Sequence, residues 1–268
     1  MSAVRTARRV TRGAARPLLS LLFPPACWVE EKPLEEIDAG LSAGVREKIA
    51  RGLLDPYCGR CGLTVSEHAA RSPRSECPRC VNRKLGVAAM ARVGLYEAPL
   101  AKLITTLKFS RRWELAAVLA PFMFQAIEMR RAADADVAVD ALVPVPLHWR
   151  RGLARGFNQA EELARHLGRL GGWPVYNALR RTRPTHEQTH LHSALQRREN
   201  LRGAFAARND RRLAGRHVWL IDDVCTTGAT LQAAARALAT MPRELRPASV
   251  NAAVVCVSDR MSIADFSE

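Results

Sequence analysis

No stretch of the 268-residue sequence stays apolar for the ~20 residues that a membrane-spanning helix requires. The longest apolar run, around Leu115 to Ile127, is short and interrupted by Pro121. Acidic residues are scarce beside basic ones: 26 Asp+Glu stand against 41 Lys+Arg, for a net charge of +15. That excess favours a polyanionic partner, whether nucleic acid, a phosphorylated small molecule or an acidic membrane surface. An Arg-rich composition inherited from a GC-rich genome explains it about as well. Internal repeats and strongly low-complexity segments are lacking. A hydrophobic content of 48% excludes wholesale disorder. The seven cysteines form an odd set with four of them in Cys-x-x-Cys pairs. This excludes a secreted disulfide framework and points to metal ligation in a reducing, cytoplasmic setting.

Three regions follow one another. Residues 1–26 carry Arg5, Arg8, Arg9, Arg12 and Arg16 ahead of Leu18 to Phe23, a short apolar stretch that Pro24-Pro25 ends. A basic amphipathic helix is expected there. It would be packed on the protein or, through residues 1–23, rest on anionic lipid at the inner membrane face or on nucleic acid. Residues 27–84 are rich in Cys, Gly, Pro and charge, with a polar helix expected within Leu34 to Leu54. From about Leu85 strands and helices alternate, the signature of an α/β domain with a parallel sheet flanked by helices. Strands are expected at Val87–Tyr96, Val137–Val145, Val218–Val224 and Ser249–Val257. Helices are expected at Pro99–Leu107, Trp113–Arg131, Gln159–Leu170 and Ala229–Ala239. In such sheets ligands sit beyond the carboxyl ends of the strands.

One strand end stands out. Val218 to Ile221 is a continuous apolar run, and Asp222 and Asp223 close it. Two adjacent carboxylates are expensive to bury together, so they are expected at the rim, where they could accept hydrogen bonds from neighbouring ribose hydroxyls. Thr226, Thr227 and Thr230 supply hydroxyl donors, Gly228 permits close backbone approach, and Ala229 opens the next helix. Together they make a cradle for a dianionic phosphate. Arg150 to Gln159 follows another strand directly, and its guanidiniums suit pyrophosphate or another polyanion, or equally a solvated basic turn before a helix. Arg180 to Phe205 is long and polar, as a mobile lid would be. His186, His190 and His192 within it lack the carboxylate spacing of a metal site.

The Asp-Asp-x-x-Thr-Thr-Gly-Ala-Thr stretch resembles the phosphoribosyl-pyrophosphate (PRPP) motif of type I phosphoribosyltransferases. The resemblance implies that Asp222 and Asp223 bind the ribose 2′- and 3′-hydroxyls, while Thr226, Thr227, Gly228, Ala229 and Thr230 bind the 5′-phosphate. Further segments narrow it: Leu107 to Arg112, Val143 to Leu147, Arg155-Gly156-Phe157-Asn158-Gln159, and Arg197-x-x-Asn200 with Ala204-Phe205 are similar to the ComF family. Members of that family are named for competence, and a related branch for use of external DNA. Arg155, Asn158, Gln159, Gln188 and Arg197 are thereby candidates for the pyrophosphate and lid contacts, with Mg²⁺ accompanying PRPP. Single-stranded DNA and DNA-uptake proteins are the implied partners.

Cys58-Gly-Arg-Cys61 and Cys77-Pro-Arg-Cys80, 15 residues apart, match the spacing of a zinc ribbon. Four thiolates leave no open position on the ion, so the zinc is expected to be structural. Arg60, Arg71, Arg74, Arg79 and Arg83 around it could touch nucleic acid. ComF relatives carry an earlier Cys-x-x-Cys after Phe-Pro-Pro. Here Phe23-Pro24-Pro25 leads to Cys27 but then to Glu30, so Cys27 is expected as a free thiol. The domain plan is thus a leader (1–26), a zinc module (27–84) and a phosphoribosyltransferase-like domain (85–268). No residue is an evident general base, which leaves a PRPP-binding protein and an active transferase to a nitrogenous acceptor as competing expectations.

Overall fold

The computed structural model describes residues 26–34, 40–66, 77, 80, 85–110, 112–147, 156–182 and 203–258. The leader to residue 25, Arg155, Gln188, Arg197, the three lid histidines and Arg71, Arg74, Arg79 and Arg83 lie outside them. The chain divides into two compact units, residues 1–47 and 48–268. In the first, Cys27 is buried and its sulfur accepts the Ser42 N–H at 3.3 Å. Burial raises the Cys27 thiol, but backbone N–H groups around it outweigh that and hold it below its ordinary value. Helix α1 spans Ala43–Leu54 and is shorter than the polar helix expected from Leu34. Gly40 takes a left-handed φ of 60°, and Ser42 Oγ accepts the Val45 N–H at 3.3 Å, so the helix starts at that cap.

The larger unit is built on a parallel sheet in the order β1-β6-β5-β2. Its strands are β1 (Met90–Leu95), β2 (Ala141–Pro144), β5 (His217–Cys225) and β6 (Ser249–Val257). β5 and β6 lie inside, paired from His217↔Ser249 to Cys225↔Val257. Their uninterrupted apolar runs fit that position, because strands covered on both faces gain nothing from alternation. Connections run through α2 (Leu100–Phe109), α3 (Leu115–Ala132), α4 (Gln159–Gly171) and α5 (Ala229–Ala239). Helices α3 and α4 pack against each other and against the sheet. On the opposite face α5 covers β5. Trp219 is wholly buried, and its indole N–H donates to Ala138 O at 2.8 Å.

Two strands were not expected. β3 (Leu179–Arg181) and β4 (Phe205–Ala207) form an antiparallel pair that packs on α5. The segment read as one continuous lid therefore begins and ends in a small ladder. Thr182 closes it further: its N–H donates to Ala204 O at 2.9 Å and its hydroxyl to Gly203 O at 2.7 Å. β1 and β2 are shorter than their apolar runs. β2 begins only at Ala141 because Asp140 uses its carboxylate to accept the His217 N–H at 2.8 Å. Helix α3 passes through Pro121, its seventh residue, which interrupts the apolar run without ending the helix.

Candidate functional site: the carboxyl end of strand β5

Successive side chains of a strand point to opposite faces. Asp222 therefore shares the face of Val218 and Leu220, toward α5, and Asp223 the face of Trp219 and Ile221. The Asp223 N–H donates to Asp222 Oδ1 at 2.8 Å. The expected emergence at the rim holds only in part: Asp222 is half-buried, whereas Asp223 is 8% exposed. What makes the second burial tolerable is Lys108 in the last turn of α2, whose Nζ lies 3.1 Å from Asp223 Oδ2. Burial, reinforced by the charge of Asp223, pushes the Asp222 carboxyl up to about 7. The Asp223 N–H and the charges of Lys108 and of Arg181 on β3 act against that rise. Lys108 and Arg181 stand beside the acid pair, and in the sequence Lys108 was visible only as part of the ComF-like segment Leu107 to Arg112 and Arg181 only as part of the basic run from Arg180.

Beyond β5 the chain turns sharply into α5. Gly228 is the N-cap residue with φ 75°, a left-handed backbone that a side chain rarely adopts. A Cβ there would also stand 2.5 Å from Leu85 Cδ2. Thr227 is buried, and its hydroxyl accepts the Ala229 N–H at 3.3 Å. The turn is anchored from β6 by the Ser258 N–H on Cys225 O at 2.9 Å. Thr226 and Thr230, half-buried, flank it. The structure therefore brings Asp222, Asp223, Thr226, Thr227, Gly228, Ala229 and Thr230 together at one sheet end, with backbone N–H groups of the α5 N-terminus beside two acids. Such an arrangement can accept hydrogen bonds from a diol and donate them to an anion. Gly228→Ala is expected to destabilise the fold by about 1–3 kcal/mol, since both the backbone angle and Leu85 must give way, and urea unfolding of the variant checks this.

After β2, Val145 leads toward α4. Asn158 caps that helix by accepting the Ala160 N–H at 3.2 Å, and its amide donates to Val145 O at 3.2 Å. Both ends of Asn158 are thus engaged in holding the loop's exit to the end of β2. Gln159 is buried as the first helical residue.

Residues 153–266 match the model of the phosphoribosyl transferase domain family. The chain is 34% identical over 224 residues to the DNA utilization protein YhgH of Salmonella typhimurium, covering 81% of this chain and 92% of that protein. It is also 34% identical over 194 residues to competence protein F of Haemophilus influenzae, covering 72% and 81%. YhgH of Escherichia coli matches at 34% over 220 residues, with 81% and 92% covered. The chain belongs to the ComF family.

This ComF-family chain also carries a cysteine cluster. The sulfurs of Cys58, Cys61, Cys77 and Cys80 lie within 4.8 Å of one another, and these residues could bind a metal such as zinc. Cys58 and Cys80 are 3.7 Å apart, Cys61 and Cys77 3.6 Å. Sulfurs at about 2.3 Å from a tetrahedral zinc stand about 3.8 Å apart, so the set fits the ion. Each pair is shaped by its turn. Gly62, at φ 74°, donates its N–H to Cys58 O at 2.8 Å, and the Cys80 N–H reaches Cys77 O at 2.7 Å. Hydrogen bonds from Cys61 and Cys80 pull the Cys58 thiol far down, while the hydrogen bond to Cys58 pushes Cys80 up to about 12.

The first knuckle is part of the main core rather than an outlying module. Cys58, Cys61 and Cys77 are buried in one cluster with Leu85, Met90, Val254 and Val257. Gly59 O accepts the Met90 N–H at 2.7 Å, and a Cβ on Gly62 would meet Val257 Cγ2 at 2.7 Å. Arg92, buried on β1, donates to Thr64 Oγ1 at 3.0 Å and lies 5.0 Å from the Tyr57 ring centre. No helix among the described residues is long and apolar enough to cross a membrane.

Proposed function

We propose that this protein binds PRPP or a related ribose 5-phosphate at the end of β5 and acts in the uptake or utilisation of external DNA. The observation that carries the ligand is the acid pair Asp222/Asp223 followed at once by the tight Thr-Thr-Gly turn into α5. Asp222 and Asp223 take the ribose hydroxyls, and Thr226 to Thr230 take the 5′-phosphate through hydroxyls and backbone N–H groups. Arg155, Asn158 and Gln159 after β2, with Gln188 and Arg197 between β3 and β4, are the pyrophosphate and lid residues in this reading. Mg²⁺ enters with the pyrophosphate of the ligand, whose charge it neutralises. The DNA role draws on the names of the relatives, competence protein F and DNA utilization protein. The +15 net charge suits single-stranded DNA as a partner alongside DNA-uptake proteins, and residues 1–23 suit peripheral membrane contact. In this reading the protein is cytoplasmic, since paired Cys-x-x-Cys spacing suits a reducing compartment, and the four cysteines hold a structural zinc.

Calorimetry of the full chain with PRPP and Mg²⁺ tests the ligand. Saturable heat at one site per chain is expected, with competition by ribose 5-phosphate. Absence of heat at millimolar PRPP would remove the assignment.

A second reading, an active phosphoribosyltransferase, is favoured by the match of residues 153–266 to the transferase domain family. A nitrogen nucleophile would form a bond to C1 as the C1–O bond breaks, and pyrophosphate would leave with the electron pair. The chain's own contribution would be to hold the sugar through Asp222 and Asp223 and to offset leaving-group charge through Arg155. Pyrophosphate release across a panel of bases and amines is its test.

A further inference from the structure

Lys108 opens the Lys-Phe-Ser-Arg-Arg run, and neither a phosphate nor a ribose contact accounts for it. It lies in the last turn of α2, on a connection that enters from β1 at the far edge of the sheet. Its ammonium nevertheless reaches Asp223 Oδ2 at 3.1 Å. Neither partner is sealed off: the side chains keep 21% and 12% of their exposure, so the pair sits where a ligand could meet it. As stabilisation alone such a pair is worth little, since partly exposed ion pairs contribute weakly and apolar pairs pack as well.

The acid pair explains why a cation belongs there. Asp222 and Asp223 are consecutive, and two carboxylates so close do not both ionise cheaply. A diol, however, needs at least one charged, fixed acceptor. We propose that Lys108 is a positioning residue of the ribose site, fixing the Asp223 carboxylate through their direct ion pair so that a ribose diol can donate to it. This rests on the reading of the β5 end as a ribose-phosphate site.

The surrounding groups agree. Lys108 faces the acid pair from α2 and Arg181 from β3, and both charges favour ionisation of Asp222. From β6, Cys256 is buried beside Asp223 and stays a neutral thiol, although Lys108 and Arg92 of β1 act against that. Lys108 forms a direct ion pair with Asp223. The division of labour is then that the Asp223 carboxylate is the fixed acceptor, while Asp222 exchanges its proton near neutrality.

The test uses the full-length, zinc-loaded protein and two probes, ribose 5-phosphate and inorganic phosphate, titrated calorimetrically from about pH 5 to about pH 9. Wild type should bind both. Lys108→Met should weaken ribose 5-phosphate about tenfold or more at neutral pH, yet leave inorganic phosphate within about twofold, because the Thr226–Thr230 loop is untouched. Its binding midpoint should move to higher pH by about one unit, since removing the ammonium lets Asp222 hold its proton longer. Lys108→Arg should recover most of the affinity. Lys108→Gln serves the same purpose should the methionine variant not fold. Unchanged ribose 5-phosphate affinity and midpoint in the variants overturns the role of Lys108. A parallel loss of both probes also overturns it, because that is what a merely structural lysine would give. Wild type that binds neither probe instead sinks the reading of the site itself, and this assignment with it.

Discussion

Asp223→Ala is expected to lower PRPP affinity at least a hundredfold, and Asp222→Asn by a similar factor, with Asp222→Ala/Asp223→Ala giving no measurable heat. Each acid supplies charged hydrogen bonds worth about 1.5–3 kcal/mol, and deleting Asp223 also strands the ammonium of Lys108. The two single variants should part company in stability. The carboxyl of Asp222 is raised from an ordinary 3.8 to about 7, so the folded state holds this proton more tightly than the unfolded chain. Stability from that group is complete below pH about 4 and is lost as pH climbs through about 7. Ligand-free wild type should therefore melt at progressively lower temperature between about pH 4 and about pH 8. Asp222→Asn, which has no charge to desolvate, should lack that decline and be the more stable protein at pH 8. A site residue whose removal stabilises the empty fold is one kept for its ligand. Thermal melts across the pH range, paired with calorimetry, read both effects. A wild-type decline shared in full by Asp222→Asn would place the titrating group elsewhere.

Removing zinc from the proposed four-cysteine site should do more than loosen a small appendage. Three of the four cysteines are buried among Leu85, Met90, Val254 and Val257, and knuckle backbone is hydrogen-bonded to β1. Leu85 in turn fills the space over Gly228 in the turn into α5. Cys61→Ser, or stripping by a strong chelator, is expected to lower the urea midpoint of the whole larger unit and to weaken PRPP binding in step. The loss should be several kcal/mol, because metal binding free energy is folding free energy in such sites. One zinc per chain, displaced as the unit unfolds in a single transition, is the expected observation. A chelated protein that keeps its midpoint and its PRPP affinity would show that the cysteines stabilise nothing beyond themselves.

The parts of this fold that the sequence made legible are those with strong local signals. β6 and α5 begin and end at the residues expected, because an apolar run buried on both faces and a Thr-Thr-Gly turn mark their own limits. The convergence of Asp222, Asp223 and Thr226 to Thr230 at one sheet end was legible too, because these residues are contiguous in sequence and need only one strand and one turn to meet. The cysteine pairs were legible from spacing alone. Less visible were features made by partners distant in sequence. β3 and β4 have three residues each, too few to show a period, and they meet only through the ladder Leu179↔Ala207 to Arg181↔Phe205. The ion pair of Lys108 with Asp223 joins a helix end to a strand end, and no local pattern announces it. Burial of Asp223 ran against the expectation that both acids would reach the rim, and that ion pair is the reason. The knuckle's place in the main core was likewise invisible, since Gly59 and Gly62 matter for what they let approach rather than for any side chain.

A crystal structure of the protein grown with PRPP and Mg²⁺ tests the central claim most directly. The account predicts the ribose hydroxyls within hydrogen-bond distance of Asp222 and Asp223, and the 5′-phosphate in the turn from Thr226 to Thr230 against the N-terminus of α5. PRPP bound elsewhere, or a β5 end that stays empty at saturating ligand, would contradict it.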